Sequence, residues 1–284
     1  IYTLSLHDAL PIYELARIDR QIFGYTGIFD SSYYESVAKW CKDHYRWVFP
    51  QEELCCSPGI IPALYQLAET LCTQEEKVLI NTPAYGYFLH AAEYSNLGVL
   101  KSPLLKNEKG EFFIDYDHFE KQCADPHCKL VFWCNPQNPT GRVWKEDELK
   151  RIAEVVEKYN LWIISDEIHC DLIRQGQVHT PMAKIMPDYP KLITCMAPTK
   201  TFNMAGLSFS NIIIRDPELR ETFRKRDKLF GMVNTMSLTA AKAAYDFGDP
   251  WLQELRVYLD ENFAFVKARS EEHTSELQSH ELIS

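Results

Sequence analysis

The feature that most constrains the fold is a strand, helix and strand in close succession at the centre of the chain. Lys129–Cys134 reads KLVFWC, a short apolar run suited to a buried strand. Lys145–Tyr159 then places Leu149, Ile152, Val155 and Val156 on one face of a helix, and Leu161-Trp-Ile-Ile164 resumes as a strand. Two strands joined by a crossover helix pair in parallel and in a right-handed sense. The loops at the carboxyl ends of such strands line a ligand crevice.

The same alternation runs from Glu53 onward. Strands are expected at Val78–Asn81, Val99–Leu104, Leu192–Met196 and Asn211–Ile214, and helices near Ile61–Cys72 and Tyr85–Ser95. Beyond Asp216-Pro217 the pattern turns helical, and Asp249-Pro250 is the N-cap and first-turn pair of a long helix through Val266. The expected class is α/β, a three-layer sandwich around a mostly parallel sheet.

With 284 residues, 46% of them apolar, the chain has ample material for one large core. No window reaches the ~20 apolar residues of a membrane span. A formal charge of -10 argues against nucleic acid or anionic lipid as the main partner, leaving a small molecule as the default. Nine cysteines, an odd number without paired CxxC spacing, are expected as buried, reduced thiols of a cytoplasmic protein. His127 and Cys128 near Cys123 could be imagined as metal ligands, but an ordinary surface loop is the better reading, and no metal site is expected.

The two ends, residues 1–12 (IYTLSLHDALPI) and 270–284 (SEEHTSELQSHELIS), share no periodicity with their neighbours and resemble translated sequencing-library adapters. Asp8, Glu271, Glu272, Glu276 and Glu281 in them supply five of the ten net negative charges, so the middle is only mildly acidic. The expected organisation is a non-native segment at 1–12, a large ligand-binding domain at 13–248, the start of a helix leading to a largely missing small domain at 249–269, and a non-native tail at 270–284. On this reading the chain is a fragment of a longer natural protein.

Five residue groups fall at strand ends. SPGIIPAL, Ser57–Leu64, passes through Gly59 into a helix, so the amides of Ile60 and Ile61 could face an anion; glycine turns into helices are common, and alone this is weak. TPAYGYF sets Tyr85 and Tyr87 at a strand-to-helix junction, where an aromatic packing pair is the plain alternative. NPQNPTG, Asn135–Gly141, has two Asn-Pro pairs where an ordinary turn seldom needs both. Asp166, in SDEIH, follows an apolar strand, where a charge is costly without a cation or strong donors, although a structural N-cap would also place it there. Lys200 poses the same burial problem with the opposite sign.

One ligand satisfies all five. Pyridoxal 5'-phosphate offers an aldehyde for a lysine, a ring nitrogen for a carboxylate, a phenolic oxygen for donors, a flat ring for an aromatic face, and a phosphate. At this point NPQNPTG, SDEIHCDL and TKTFNMAGL, in this order, with IFGYTG and SPGIIPAL, resemble the aspartate-aminotransferase (class I/II, fold type I) superfamily of pyridoxal-phosphate enzymes. Within it they are most similar to the MalY/PatB-type cystathionine beta-lyases, over Ile22–Val266.

The resemblance implies that Lys200 carries the cofactor and is the catalytic lysine, Asp166 meets the ring nitrogen, Asn138 donates to the phenolic oxygen and Tyr85 stacks on the ring. It implies phosphate contacts from the Gly59, Ile60 and Ile61 backbone with Thr199. Tyr25 would reach the phosphate of a neighbouring subunit, which makes a homodimer the expected assembly. His169 stands three residues after Asp166 where many aminotransferases carry tyrosine, and Ser208 stands eight after Lys200 where many carry arginine; both suit the lyase branch. Ala197 takes the place of a frequent phosphate-binding serine, a departure from the family pattern that weakens the case for a hydroxyl role of Thr199. The implied function is carbon–sulfur beta-elimination on cystathionine or related L-cysteine conjugates, giving thiol, pyruvate and ammonia. An aminotransferase, or a cofactor-binding protein without turnover, are the alternatives. In this superfamily the arginine for the substrate carboxylate comes from the small domain, so this chain is expected to be a poor catalyst.

Overall fold

The computed structural model describes residues 31–230 and 233–281, the side chains of 227–230 and 271–281 excepted. Helix α1 (Ser31–Tyr45) precedes strand β1 (Leu54–Ser57) and helix α2 (Ile60–Leu71). Then come β2 (Lys77–Thr82), α3 (Gly86–Tyr94), β3 (Gly98–Pro103), the two-residue strands β4 (Leu105–Lys106) and β5 (Phe112–Phe113), α4 (Tyr116–Cys123) and β6 (Cys128–Cys134). The second half holds α5 (Glu146–Lys158), β7 (Trp162–Asp166), α6 (Met182–Ile185), β8 (Leu192–Met196), the one-turn helix α7 (Pro198–Thr201), β9 (Ser210–Ile214), α8 (Pro217–Phe230), α9 (Thr235–Phe247) and α10 (Asp249–Glu281).

The main sheet has seven strands in the order β1-β9-β8-β7-β6-β2-β3, while β4 and β5 pair separately as a small antiparallel ribbon. The strands β3, β2, β6, β7 and β8 pair in parallel, and β9 is antiparallel to both β8 and β1. Reversing direction twice returns β1 to the sense of the parallel five. The carboxyl ends of β1, β2, β6, β7 and β8 therefore share one edge of the sheet. The chain winds outward from β2 to β3, returns to β6 and continues the other way, the strand-order reversal at which open α/β sheets place ligands.

Period-2 alternation along the strands divides the core in two. Val78, Ile80, Leu130, Phe132, Ile164, Ile193 and Ile212 face one side, against Leu64 and Leu67 of α2 and Phe88 of α3. Leu79, Val131, Trp133, Ile163, Leu192 and Ile213 face the other, against Trp40 of α1, Phe119 of α4, and Leu149 and Ile152 of α5. Both faces of the sheet are covered, so its strands read as continuous apolar runs. The expected three-layer α/β sandwich with a mostly parallel sheet is what the structure shows.

The strand β8 has the expected bounds, and β2, β3, β6 and β9 lie within one residue of them; β7 ends at Asp166, two residues beyond the expected Ile164. Helix α10 runs past Val266 to Glu281 without a break, because residues 267–281 contain neither glycine nor proline to end it. All nine cysteines are free thiols and all but Cys72 are buried. Among the described residues, no helix is long and apolar enough to cross a membrane.

Candidate active site

Five loops reach the common edge of the sheet, and one cavity of about 240 Å³ lies among them. Its walls carry Gly59, Ile60 and Ile61 after β1, Tyr85 after β2, Asn138 after β6, Asp166 and His169 at the end of β7, and Thr199 and Lys200 after β8. Of the residues expected at the site from the sequence, every one but Tyr25 lines this cavity; Tyr25 lies outside the described residues. Cys134, Ile168, Ser208 and Phe209 complete much of the lining.

Gly59 is the N-cap of α2, at φ 145°, a conformation that side chains rarely adopt. Its own backbone turn thus depends on glycine, and a Cβ there would stand 3.4 Å from Pro62 Cδ. The first intrahelical bond of the helix runs from the Ala63 amide to the Gly59 carbonyl. Pro62 has no N–H, so Ile60 and Ile61 are the first-turn amides available at this positive helix end.

The NPQNPTG loop separates structural from cleft-facing roles. Asn135 donates from Nδ2 to the Thr180 carbonyl at 3.0 Å, and Gln137 donates from Nε2 to the Pro83 carbonyl at 2.7 Å. Gln137 Oε1 accepts from the Thr140 amide at 2.9 Å, and Cys134 Sγ accepts from the Asn138 amide at 3.3 Å. These bonds fix the turn and leave the Asn138 side chain at the cavity wall. Tyr85 packs against Tyr87 with ring centroids 5.4 Å apart and still reaches the cavity, so the plain aromatic-pair reading and the cleft reading both hold.

Asp166 is buried, and that burial, more than any neighbour, raises its carboxyl to about pKa 7. The Ile168 amide, 3.2 Å from Oδ1, and the nearby Lys200 charge pull the other way, while Glu167 adds to the rise. His169 is driven down by burial and then by Lys200. Burial is also the main reason that Tyr85 is raised. The cleft thus holds a carboxyl that has no ion-pair partner among the described residues, an imidazole with a lowered pKa, a lysine, an aromatic face and a helix N-terminus. Such a donor set fits a flat cationic heterocycle carrying an aldehyde and an anionic group.

The sequence reading missed what stands behind this lining. Asp171, in the same loop as Asp166, accepts hydrogen bonds from Trp40, Tyr45 and Thr201. Glu167, also buried, accepts from Ser165 at 2.8 Å and from the Met182 amide at 2.9 Å, and faces His179 at 2.7 Å. Runs of apolar residues do not announce partners up to 131 positions apart.

Comparison with known proteins places this geometry. The chain is 37% identical over 256 residues to cystathionine beta-lyase PatB of Bacillus subtilis, covering 89% of this chain and 65% of that one. It is 32% identical to protein MalY of Escherichia coli, covering 88% and 64%. Among solved structures, the pyridoxal-phosphate-bound C-S lyase from Staphylococcus hominis superposes with a TM-score of 0.86 at 43% identity, covering 91% of this chain and 65% of that one. The chain therefore spans just under two thirds of the length of these relatives. A family model, aminotransferase class I and II, matches residues 7–283, and the chain belongs to that family.

Proposed function

We propose that the chain binds pyridoxal 5'-phosphate and carries the cofactor cleft of a carbon–sulfur beta-lyase acting on cystathionine or a related L-cysteine conjugate. The observation that carries this is the convergence of Lys200, Asp166, Asn138, Tyr85 and the Gly59 helix start on one cavity. The similarity to PatB, a cystathionine beta-lyase, and to the Staphylococcus hominis C-S lyase supports the lyase reading.

When bound, the cofactor supplies an aldehyde carbon and a ring that accepts the electron pair released at the substrate's alpha carbon. Lys200 Nζ would hold the aldehyde carbon and is the base placed to take the substrate's alpha proton. Asp166 would meet the ring nitrogen, whose positive charge would favour the ionised carboxylate over the neutral form that burial favours. Asn138 would donate to the phenolic oxygen, Tyr85 would cover a ring face, and the Ile60 and Ile61 amides with Thr199 would hold the phosphate. His169 lines the same cavity and would stand among the residues around the cofactor. The net reaction consumes one water and yields thiol, pyruvate and ammonia.

Residues 13–248 form the cofactor unit in this reading, with the helix from Asp249 leading out of it toward the group that binds the substrate carboxylate. A homodimer, in which Tyr25 reaches the partner's phosphate, completes each site. The free, buried thiols support a cytoplasmic setting. Incubating the full-length natural protein with L-cystathionine, and following thiol and pyruvate together, tests the reaction. Amino transfer to a keto acid without thiol release would instead make it an aminotransferase.

A further inference from the structure

Lys200 sits in a one-turn helix, and a single turn has little of its own to hold its orientation. Successive side chains in a helix diverge by about 100°. Lys200 accordingly faces the cavity, while Thr201 points into the core with no exposed surface. There its hydroxyl donates to Asp171 Oδ2 at 2.7 Å. The other oxygen of the same carboxylate, Oδ1, accepts from Trp40 Nε1 at 3.1 Å and from the Tyr45 hydroxyl.

Asp171 is buried, and among the described residues no basic side chain forms an ion pair with it. Three aimed donors from two other elements compensate its charge instead. Trp40 also packs edge-on against Phe202, with centroids 5.7 Å apart, so α1 contacts the residue after Thr201 as well. Asp171 lies in the loop that presents Asp166 and His169 to the cavity. One carboxylate therefore ties the loop carrying Asp166 to the turn carrying Lys200, and anchors both to α1.

Resting on the cofactor reading above, we propose that Asp171 is a positioning residue for Lys200: through Thr201 it fixes the rotation of the turn and hence where the lysine amine enters the cleft. Thr201→Val removes the hydroxyl at nearly constant shape. Asp171→Asn keeps the shape but loses the charge and half of the accepting capacity.

The test uses the 284-residue chain mixed with pyridoxal phosphate, reduced with borohydride over time and mapped by mass spectrometry, with thermal unfolding and circular dichroism in parallel. Misplacement of the amine by about 1 Å predicts that Thr201→Val and Asp171→Asn slow capture at Lys200 roughly ten- to hundredfold. Thr201→Ser should restore the unsubstituted rate, and the double variant should be no slower than the worse single one. A Thr201→Val chain that melts earlier but captures the cofactor at Lys200 at the unsubstituted rate reduces Asp171 to a packing role and overturns the proposal. No label on Lys200 in the unsubstituted chain removes the cofactor reading itself, and this inference with it.

Discussion

His179 Nε2 lies 2.7 Å from Glu167 Oε2 with neither side chain exposed, directly behind the residue that lines the cleft, Asp166. Glu167 has its remaining capacity filled by Ser165 and the Met182 amide. Replacing His179 by leucine leaves the buried Glu167 Oε2 without its partner. The expected cost is about 1–3 kcal/mol of stability, read from urea unfolding. Glu167→Gln should lower the pKa of Asp166, because the Glu167 charge is one of the causes that raise it.

The pH dependence of the cofactor-free chain follows from Asp166. Its carboxyl is held at about 7 in the fold, against an ordinary value near ~4 in an unfolded chain. Between those limits the folded protein keeps a proton that the unfolded chain has lost. The stability from the neutral carboxyl is therefore fully present below about pH 4 and is lost as pH rises through about 7. The unfolding free energy from urea titrations should fall across that window by an amount on the order of a few kcal/mol, and Asp166→Asn should flatten the slope. Saturating pyridoxal phosphate should flatten it too, since a ring cation stabilises the charged carboxylate.

Gly59→Ala forces a side chain into φ 145°. Strain of this kind costs about 1–3 kcal/mol. Because the same turn aims the Ile60 and Ile61 amides, affinity for pyridoxal phosphate should fall together with stability. Isothermal titration at fixed temperature separates the two effects.

Gln137→Leu should behave differently. It deletes the bond to the Pro83 carbonyl and the acceptor for the Thr140 amide, both part-buried. An unfolding cost of about 0.5–1.5 kcal/mol per lost bond is expected. The Asn138 turn it supports should then hold the cofactor less tightly, seen as a right-shifted titration.

The strands were legible because a parallel sheet covered on both faces writes itself as apolar runs, and Leu192–Met196 could be bounded to the residue. The cleft was legible because charges and paired Asn-Pro units at strand ends have no cheap structural excuse. Helix α1 escaped notice although Tyr33, Val37, Trp40, Cys41 and Tyr45 recur at helical spacing, because it precedes the first clear strand. The β4–β5 ribbon is too short to carry a period. Asp171 and Thr201 each look unremarkable alone, and only the fold brings them together across 30 residues.

The central claim is that Lys200 carries pyridoxal phosphate in this cavity. The most direct measurement is the absorbance of the chain titrated with the cofactor, followed by borohydride reduction and peptide mapping. The account predicts a long-wavelength band that saturates, disappears in Lys200→Ala, and leaves the reduced cofactor on the peptide containing Lys200. A band that persists in Lys200→Ala, or label scattered over surface lysines, would contradict it.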